Sequence, residues 1–364
     1  MKKISKLGLI IKLTEKCNYS CNFCRYANSK DEKLVFTPKN LKRIIFMSTQ
    51  WNLKNNNKNI SLIFHGGEPL LWGKNNFKEI IEYEKELSEK FNVFFKNSLQ
   101  TNGYLIDEEW INIFTDGKFD IGISIDGPEE LNGHIGPFGN DFSLKKVLSN
   151  INLLESHNIP FGVLAVITPN HITKVKEFYD FFIQNQIKNI GLCYCYNPID
   201  NKNVDPKGLS TFLIQLFDLY FYQKNVLRIR EFDNSIRKYL TEKSTTCAFS
   251  NRESCGQYYT VRSNGDILFC DSYELNTPPI GNVFKNDLMT LINNEYLNNL
   301  KIKITLINQK CKNCIVKNIC GMGCHRHDIQ NNTEINNYFC KTYIELYSHI
   351  KKCLDEYKKS RQSE

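Results

Sequence analysis

The sequence predicts an α/β chain: a partial (β/α)6, TIM-like barrel followed by a small cysteine-rich domain. Three observations carry this. Between about residues 7 and 200, short apolar runs alternate with longer amphipathic, charged segments, the pattern of parallel strands joined by helical crossovers. Polar and glycine-rich residues follow the runs directly, and in such folds the loops after the strands form the active-site face. Fourteen cysteines fall in two dense groups, three within Cys17–Cys24 and eight between Cys247 and Cys340.

The expected strands are Gly8–Leu13, Ile60–Phe64, Val93–Leu99, Phe119–Ile125, Gly162–Ile167 and Ile190–Tyr194, with helical patterns between them such as Asn76–Phe91 and Lys174–Gln186. The loops that follow read His65-Gly66-Gly67-Glu68, Gln100-Thr101-Asn102-Gly103 and Asp126-Gly127-Pro128. Residues 1–204 form the expected core. Residues 205–246 turn helical (Ser210–Lys224, Asp233–Glu242) and read as a bridge. Residues 247–345 are rich in Cys, Gly and Asn with little periodicity, as expected of a segment that folds around metal. Residues 346–364 read as a basic C-terminal helix or tail.

Composition narrows the class. Apolar residues at 41% and charged residues at 24% are ordinary globular values and argue against disorder. The longest apolar stretches, such as Phe161–Ile167, fall far short of the roughly 20 residues of a membrane span. Lys12 interrupts the apolar run near the N-terminus and no small-residue cleavage site follows, so this segment reads as a first strand in a cytoplasmic protein. Lys plus Arg (47) exceed Asp plus Glu (39), but the excess is scattered, not gathered with aromatics as in a nucleic-acid binder. The tight cysteine spacings suit metal ligation and a reducing compartment.

Cys17-x3-Cys21-x2-Cys24 stands directly after the first strand. Three thiolates on one short loop can hold three irons of a [4Fe–4S] cube and leave the fourth open for chemistry. A structural zinc needs a fourth ligand, and no Cys or His follows within 30 residues. With Phe23 before the last cysteine, this motif resembles that of the radical S-adenosylmethionine (AdoMet) enzymes. Gly66-Gly67-Glu68-Pro69 resembles the loop that meets the AdoMet amino group in that family. The resemblance implies reductive cleavage of AdoMet to a 5′-deoxyadenosyl radical. It also puts Ser124 near the ribose and Tyr196 near the adenine.

Cys255-x9-Gly265-x4-Cys270, then Cys311-x2-Cys314-x5-Cys320-x3-Cys324-x15-Cys340, resembles the SPASM extension of these enzymes. By spacing alone, the eight thiols fit two further clusters or a pair of zinc ribbons. The resemblance implies two auxiliary [4Fe–4S] clusters, three cubes in all. One is held by Cys247, Cys255, Cys270 and Cys324, the other by Cys311, Cys314, Cys320 and Cys340. Cys193, Cys195 and Cys353 are left as small buried hydrophobes, although one of the two strand cysteines could face the substrate cavity.

Within that group, Asn97–Gly103, Leu105–Glu108 and Cys270-Asp271-Ser-Tyr273 resemble anaerobic sulfatase-maturating enzymes and radical peptide maturases. The resemblance implies hydrogen abstraction from a peptide or protein substrate, which is then oxidised to formylglycine. It makes Asp271 the proton acceptor and Gln100 a substrate contact. A low-potential donor of flavodoxin or ferredoxin type is implied as electron source. One departure stands out. Where the subfamily has an Arg that reaches AdoMet, this chain has Gly136, and a compensating His134 lies two residues before it. The alternatives are a ribosomal-peptide maturase forming a thioether, a carbon–carbon crosslink or an epimer, and a non-catalytic iron–sulfur carrier or zinc-stabilised binding module.

Overall fold

The computed structural model describes residues 7–21, 23–24, 34–137, 140–196, 203–223, 227–243, 247, 252, 255–271, 278–293, 295–305, 309–331 and 334–362. Phe138 and Tyr273 lie outside them. Two compact units make up the chain: residues 1–125, 132–162 and 256–301 form the first, and residues 126–131, 163–255 and 302–364 the second.

In the first unit, β1 (Gly8–Thr14), β2 (Asn59–Gly66), β3 (Phe94–Thr101) and β4 (Asp120–Ser124) pair in parallel, each neighbouring the next. Helices α1 (Pro38–Lys54), α2 (Lys74–Phe91) and α3 (Glu108–Asp116) make the crossovers, and α4 (Asn140–Ser156) follows β4. Each of the four strands lies on an expected one, shifted at its ends by up to two residues.

Strand periodicity sorts the side chains. Leu9, Ile11 and Leu13 of β1 and Ile60, Leu62 and Phe64 of β2 are buried against the helices. There Phe64 meets Phe77 and Phe119 at 5.7 Å, and Phe77 meets Trp110 edge-on at 5.2 Å. The opposite face carries Lys12, His65, Gln100 and Ser124, brought onto one side by registers that set Lys12 beside His65 and Gln100 beside Gly122.

The cysteine-rich stretch holds more regular structure than its composition suggests. Tyr258–Val261 (β8) adds in parallel to the outer edge of β1, and Asp266–Leu268 (β9) and Gly281–Asn282 (β10) continue the sheet antiparallel. Strands of two to four residues are too short to show periodicity.

In the second unit, β5 (Phe161–Ile167, from Val163 onward), β6 (Asn189–Tyr194) and β7 (Arg228–Ile229) pair in parallel. Its helices α5 (Val175–Gln184), α6 (Pro206–Tyr222) and α7 (Arg230–Thr241) match the three expected in this region to within four residues. The C-terminal helix Cys340–Gln362 runs through the position 345/346 and packs on α6, where Thr342 Oγ1 donates to Pro206 O at 2.7 Å. No helix among the described residues is long and apolar enough to cross a membrane.

One polar contact fastens α2 to β3. Asn97 Nδ2 donates to Glu84 Oε2 at 2.7 Å, while Glu84 Oε1 and Asn97 Oδ1 find no partner among the described residues. Burial pushes the Glu84 carboxyl up to about 8, and the Asn97 bond pulls the other way. A proton on Glu84 would give the Asn97 oxygen a donor. Because the folded value lies above the roughly 4.3 of an unfolded Glu, stability from this group is full below about pH 4 and is lost as pH rises through about 8. Glu84→Gln, whose amide also donates, is therefore expected to unfold at a higher temperature than wild type, by a margin that widens from pH 5 to pH 9. Thermal melts across that range test this, and a pH-independent margin would contradict it.

Candidate active site

The loop after β1 carries Cys17, Cys21 and Cys24, each half-buried. Its described residues form no helix or strand, so their backbone groups are satisfied by neighbours. The loop after β2 contributes two bonds, Gly67 N to Thr14 O at 2.7 Å and Glu68 N to Lys16 O at 2.8 Å. These need glycine. A Cβ on Gly66 would stand 2.3 Å from Thr14 O and one on Gly67 2.2 Å from Lys16 O, and Gly66 has φ +143°.

Glu68 is fully buried and its carboxylate organises the site. Oε1 accepts from Leu70 N at 3.0 Å and from the Thr101 hydroxyl at 2.7 Å, and Oε2 accepts from Asn102 N at 2.8 Å. Burial pushes this carboxyl up to about 7, and the three donors draw it back towards the anion. Both oxygens are thereby engaged inside the protein. Asn102 then reaches on to the cysteine loop, Nδ2 donating to Asn18 Oδ1 at 2.8 Å.

A third brace comes from residues 132–136. Ser20 N donates to Ile135 O at 2.8 Å. His134 is 7% exposed, its ring edge-on to Phe23 at 5.2 Å and its Nδ1 3.3 Å from Cys21 Sγ. A Cβ on Gly136 would stand 1.9 Å from Ser143 Oγ and 3.1 Å from the Tyr19 ring, so no side chain extends from this position. The missing Arg thus goes with a loop that packs closely on the cysteine segment, and the loop histidine is buried.

Burial pushes the Cys17 thiol up to about 12, with smaller upward contributions from Glu68, Cys21 and Cys24, while the Tyr19 backbone N–H opposes the shift. Three half-buried thiols on one loop suit three irons of a [4Fe–4S] cube and leave the fourth iron open. Elsewhere Asp218, His349 and Cys353 come together between α6 and the C-terminal helix, with His349 Nε2 2.6 Å from Asp218.

On the face of the sheet away from the helices, Gln100 Nε2 donates to Ser124 Oγ at 3.0 Å, so the expected substrate and ribose contacts touch each other. Asp271, next to Cys270, lies 2.5 Å from the Lys12 ammonium. Lys12 is 2% exposed and Asp271 36%. The sequence signal for this pair was the single charge inside the apolar run of β1, though nothing in the sequence named its partner.

The second unit holds Tyr196 and seven of the eight remaining expected ligands. Tyr196 lies in an aromatic cluster, 5.1 Å from both His327 and Tyr338, with Arg326 donating to its carbonyl at 3.0 Å. Cys311, Cys314, Cys320 and Cys340 come within electrostatic reach of one another. Burial first, and then the neighbouring thiols, pushes Cys311, Cys320 (to about 12) and Cys340 upward. Cys247, Cys255 and Cys324 belong to this unit, Cys270 to the first.

Comparison with known proteins agrees with this geometry. The radical SAM superfamily pattern matches residues 11–182, and that of an iron–sulfur cluster-binding domain, SPASM, matches residues 254–315. A cysteine-type anaerobic sulfatase-maturating enzyme of Clostridium perfringens is 30% identical over 94% of this chain and 96% of its own length. A serine-type enzyme of Bacteroides thetaiotaomicron is 24% identical, covering 94% and 89%. The solved structure of native anSMEcpe with bound AdoMet and a Cp18Cys peptide superposes with a TM-score of 0.85 at 28% identity, covering 96% of this chain and 98% of that one. The chain belongs to the radical SAM superfamily, in the group of anaerobic sulfatase-maturating enzymes.

Proposed function

We propose that this enzyme oxidises a cysteine or serine of a sulfatase-type polypeptide to formylglycine. The observation that carries the reading is Asp271, next to Cys270 and held by a buried lysine on the sheet face that also bears Gln100 and Ser124. When bound, the [4Fe–4S] clusters and AdoMet supply the one-electron chemistry: a 5′-deoxyadenosyl radical for hydrogen abstraction and a sink for the electron left on the substrate.

The chain's own residues do the rest. Cys17, Cys21 and Cys24 hold the first cluster, with Phe23 beside them. The backbone of Gly66 and Gly67 meets the AdoMet amino group, held in place by Glu68. Ser124 and Tyr196 serve the ribose and adenine, and Gln100 orients the peptide. Asp271 accepts the thiol or hydroxyl proton as the substrate carbon is oxidised, and Lys12 holds that carboxylate in place. The eight thiols from Cys247 to Cys340 hold the two auxiliary clusters. Functionally the chain divides into a core (1–204), a helical bridge (205–246), the auxiliary-cluster segment (247–345) and a basic tail (346–364). The tight cysteine spacings support a reducing, cytoplasmic setting, and the cluster chemistry a low-potential flavodoxin or ferredoxin as electron source.

Anaerobic reconstitution should load about twelve irons per chain, as three cubes require, and dithionite should then release 5′-deoxyadenosine from AdoMet. Zinc in place of iron would overturn the reading. With a synthetic sulfatase-type peptide bearing Cys or Ser at the target position, Asp271→Asn should still cleave AdoMet while formylglycine, followed by mass spectrometry, falls roughly 10²–10⁴-fold. Wild-type yield from this variant would remove Asp271 as the base. Lys12→Met should destabilise the holoprotein, and Lys12→Met/Asp271→Asn should recover most of the loss. Melting temperatures decide this, and a double variant no better than the single would contradict the pairing.

A further inference from the structure

The histidine at the cysteine loop has a consequence for the iron it borders. His134 Nδ1 lies 3.3 Å from Cys21 Sγ, within the range of a hydrogen bond to sulfur, and the ring is buried edge-on against Phe23. Neither partner can swing away easily. The backbone bond from Ser20 N to Ile135 O fastens the two segments beside the contact, and Gly136 packs its loop against Ser143 and Tyr19. Cys17 receives its hydrogen bond differently, from the Tyr19 backbone N–H at 3.4 Å.

A free thiol could donate to the imidazole. A cysteine bound to iron cannot, because it ligates as the thiolate and retains only acceptor capacity. Once Cys21 is a ligand, the contact persists only with the proton on Nδ1, whatever the state of the other ring nitrogen. An N–H directed at a ligating sulfur draws charge from it and favours the reduced cluster, which carries one more negative charge.

We propose that His134 donates a hydrogen bond from Nδ1 to the Cys21 thiolate and thereby raises the reduction potential of the AdoMet-binding cluster. It is a positioning residue, acting through Cys21. The inference rests on the reading of Cys21 as an iron ligand.

The test is an EPR-monitored redox titration of the anaerobically reconstituted full chain. The first cluster is recognised as the reduced signal that changes on adding AdoMet. His134→Phe should move the midpoint of that signal to lower potential, and His134→Gln, which retains an N–H donor, should fall between it and wild type. Unchanged midpoints in both variants at wild-type iron content overturn the proposal. Should the variants load iron poorly, the wild-type protein labelled with ¹⁵N-histidine decides. Pulsed EPR of the AdoMet-responsive signal should show a weak histidine-nitrogen coupling, and its absence overturns the proposal. Cys21→Ala separates the two levels of the argument. If that variant keeps the AdoMet-responsive signal, the ligand reading fails; if the signal is lost while the histidine coupling is absent from wild type, only the role of His134 fails.

Discussion

One buried carboxylate holds the site together. Three loops after consecutive parallel strands must converge on a cysteine segment whose described residues form no helix or strand. Glu68 solves this from the middle: its backbone N–H bonds the cysteine loop, and its side chain accepts from its own turn and from both Thr101 and Asn102. Removing a charge from water is strongly unfavourable unless its lone pairs are filled, so the position tolerates little besides a carboxylate with these donors in these places. The two glycines before it are part of the same constraint, since they let the backbones approach closely enough to bond.

The Lys12–Asp271 pair follows a related logic on the open face of the sheet. Partial exposure of the aspartate leaves it accessible while the lysine is withdrawn from water, so the pair is asymmetric. A matched apolar pair of similar volume could be as stable. The ionic pair provides something packing cannot: a carboxylate held in a fixed direction beside a cysteine.

Much of this was legible in the sequence, for identifiable reasons. The first six strands show because each buries an apolar face, and the loops after them show because close backbone approach demands glycine and polar residues. Cysteine spacing pointed to the two families whose patterns match the chain. The rest depends on contacts between distant segments. The partner of Lys12 lies 259 residues away, and His134 stands in a loop whose sequence has no periodicity to read. Strands β8 to β10 are too short to announce themselves and exist because β1 offers an unpaired edge. The carboxyl–amide pair of Glu84 and Asn97 was equally invisible, being two polar residues in otherwise ordinary helix and strand patterns.

That added edge has a bearing on how the polypeptide is made. β1 leaves the ribosome well before β8, yet one side of it pairs with those residues, 258–261, of the same compact unit. Until some 250 further residues have been synthesised, the strand that leads into the cysteine loop keeps a row of unpaired N–H and C=O groups open to other chains. Closing a contact over that separation is slow, because the loop entropy must be overcome before the pairing contributes. The nascent enzyme therefore passes through a long interval in which an apolar edge and three reactive thiols are exposed together. In that interval its vulnerability is to aggregation and premature oxidation rather than to unfolding.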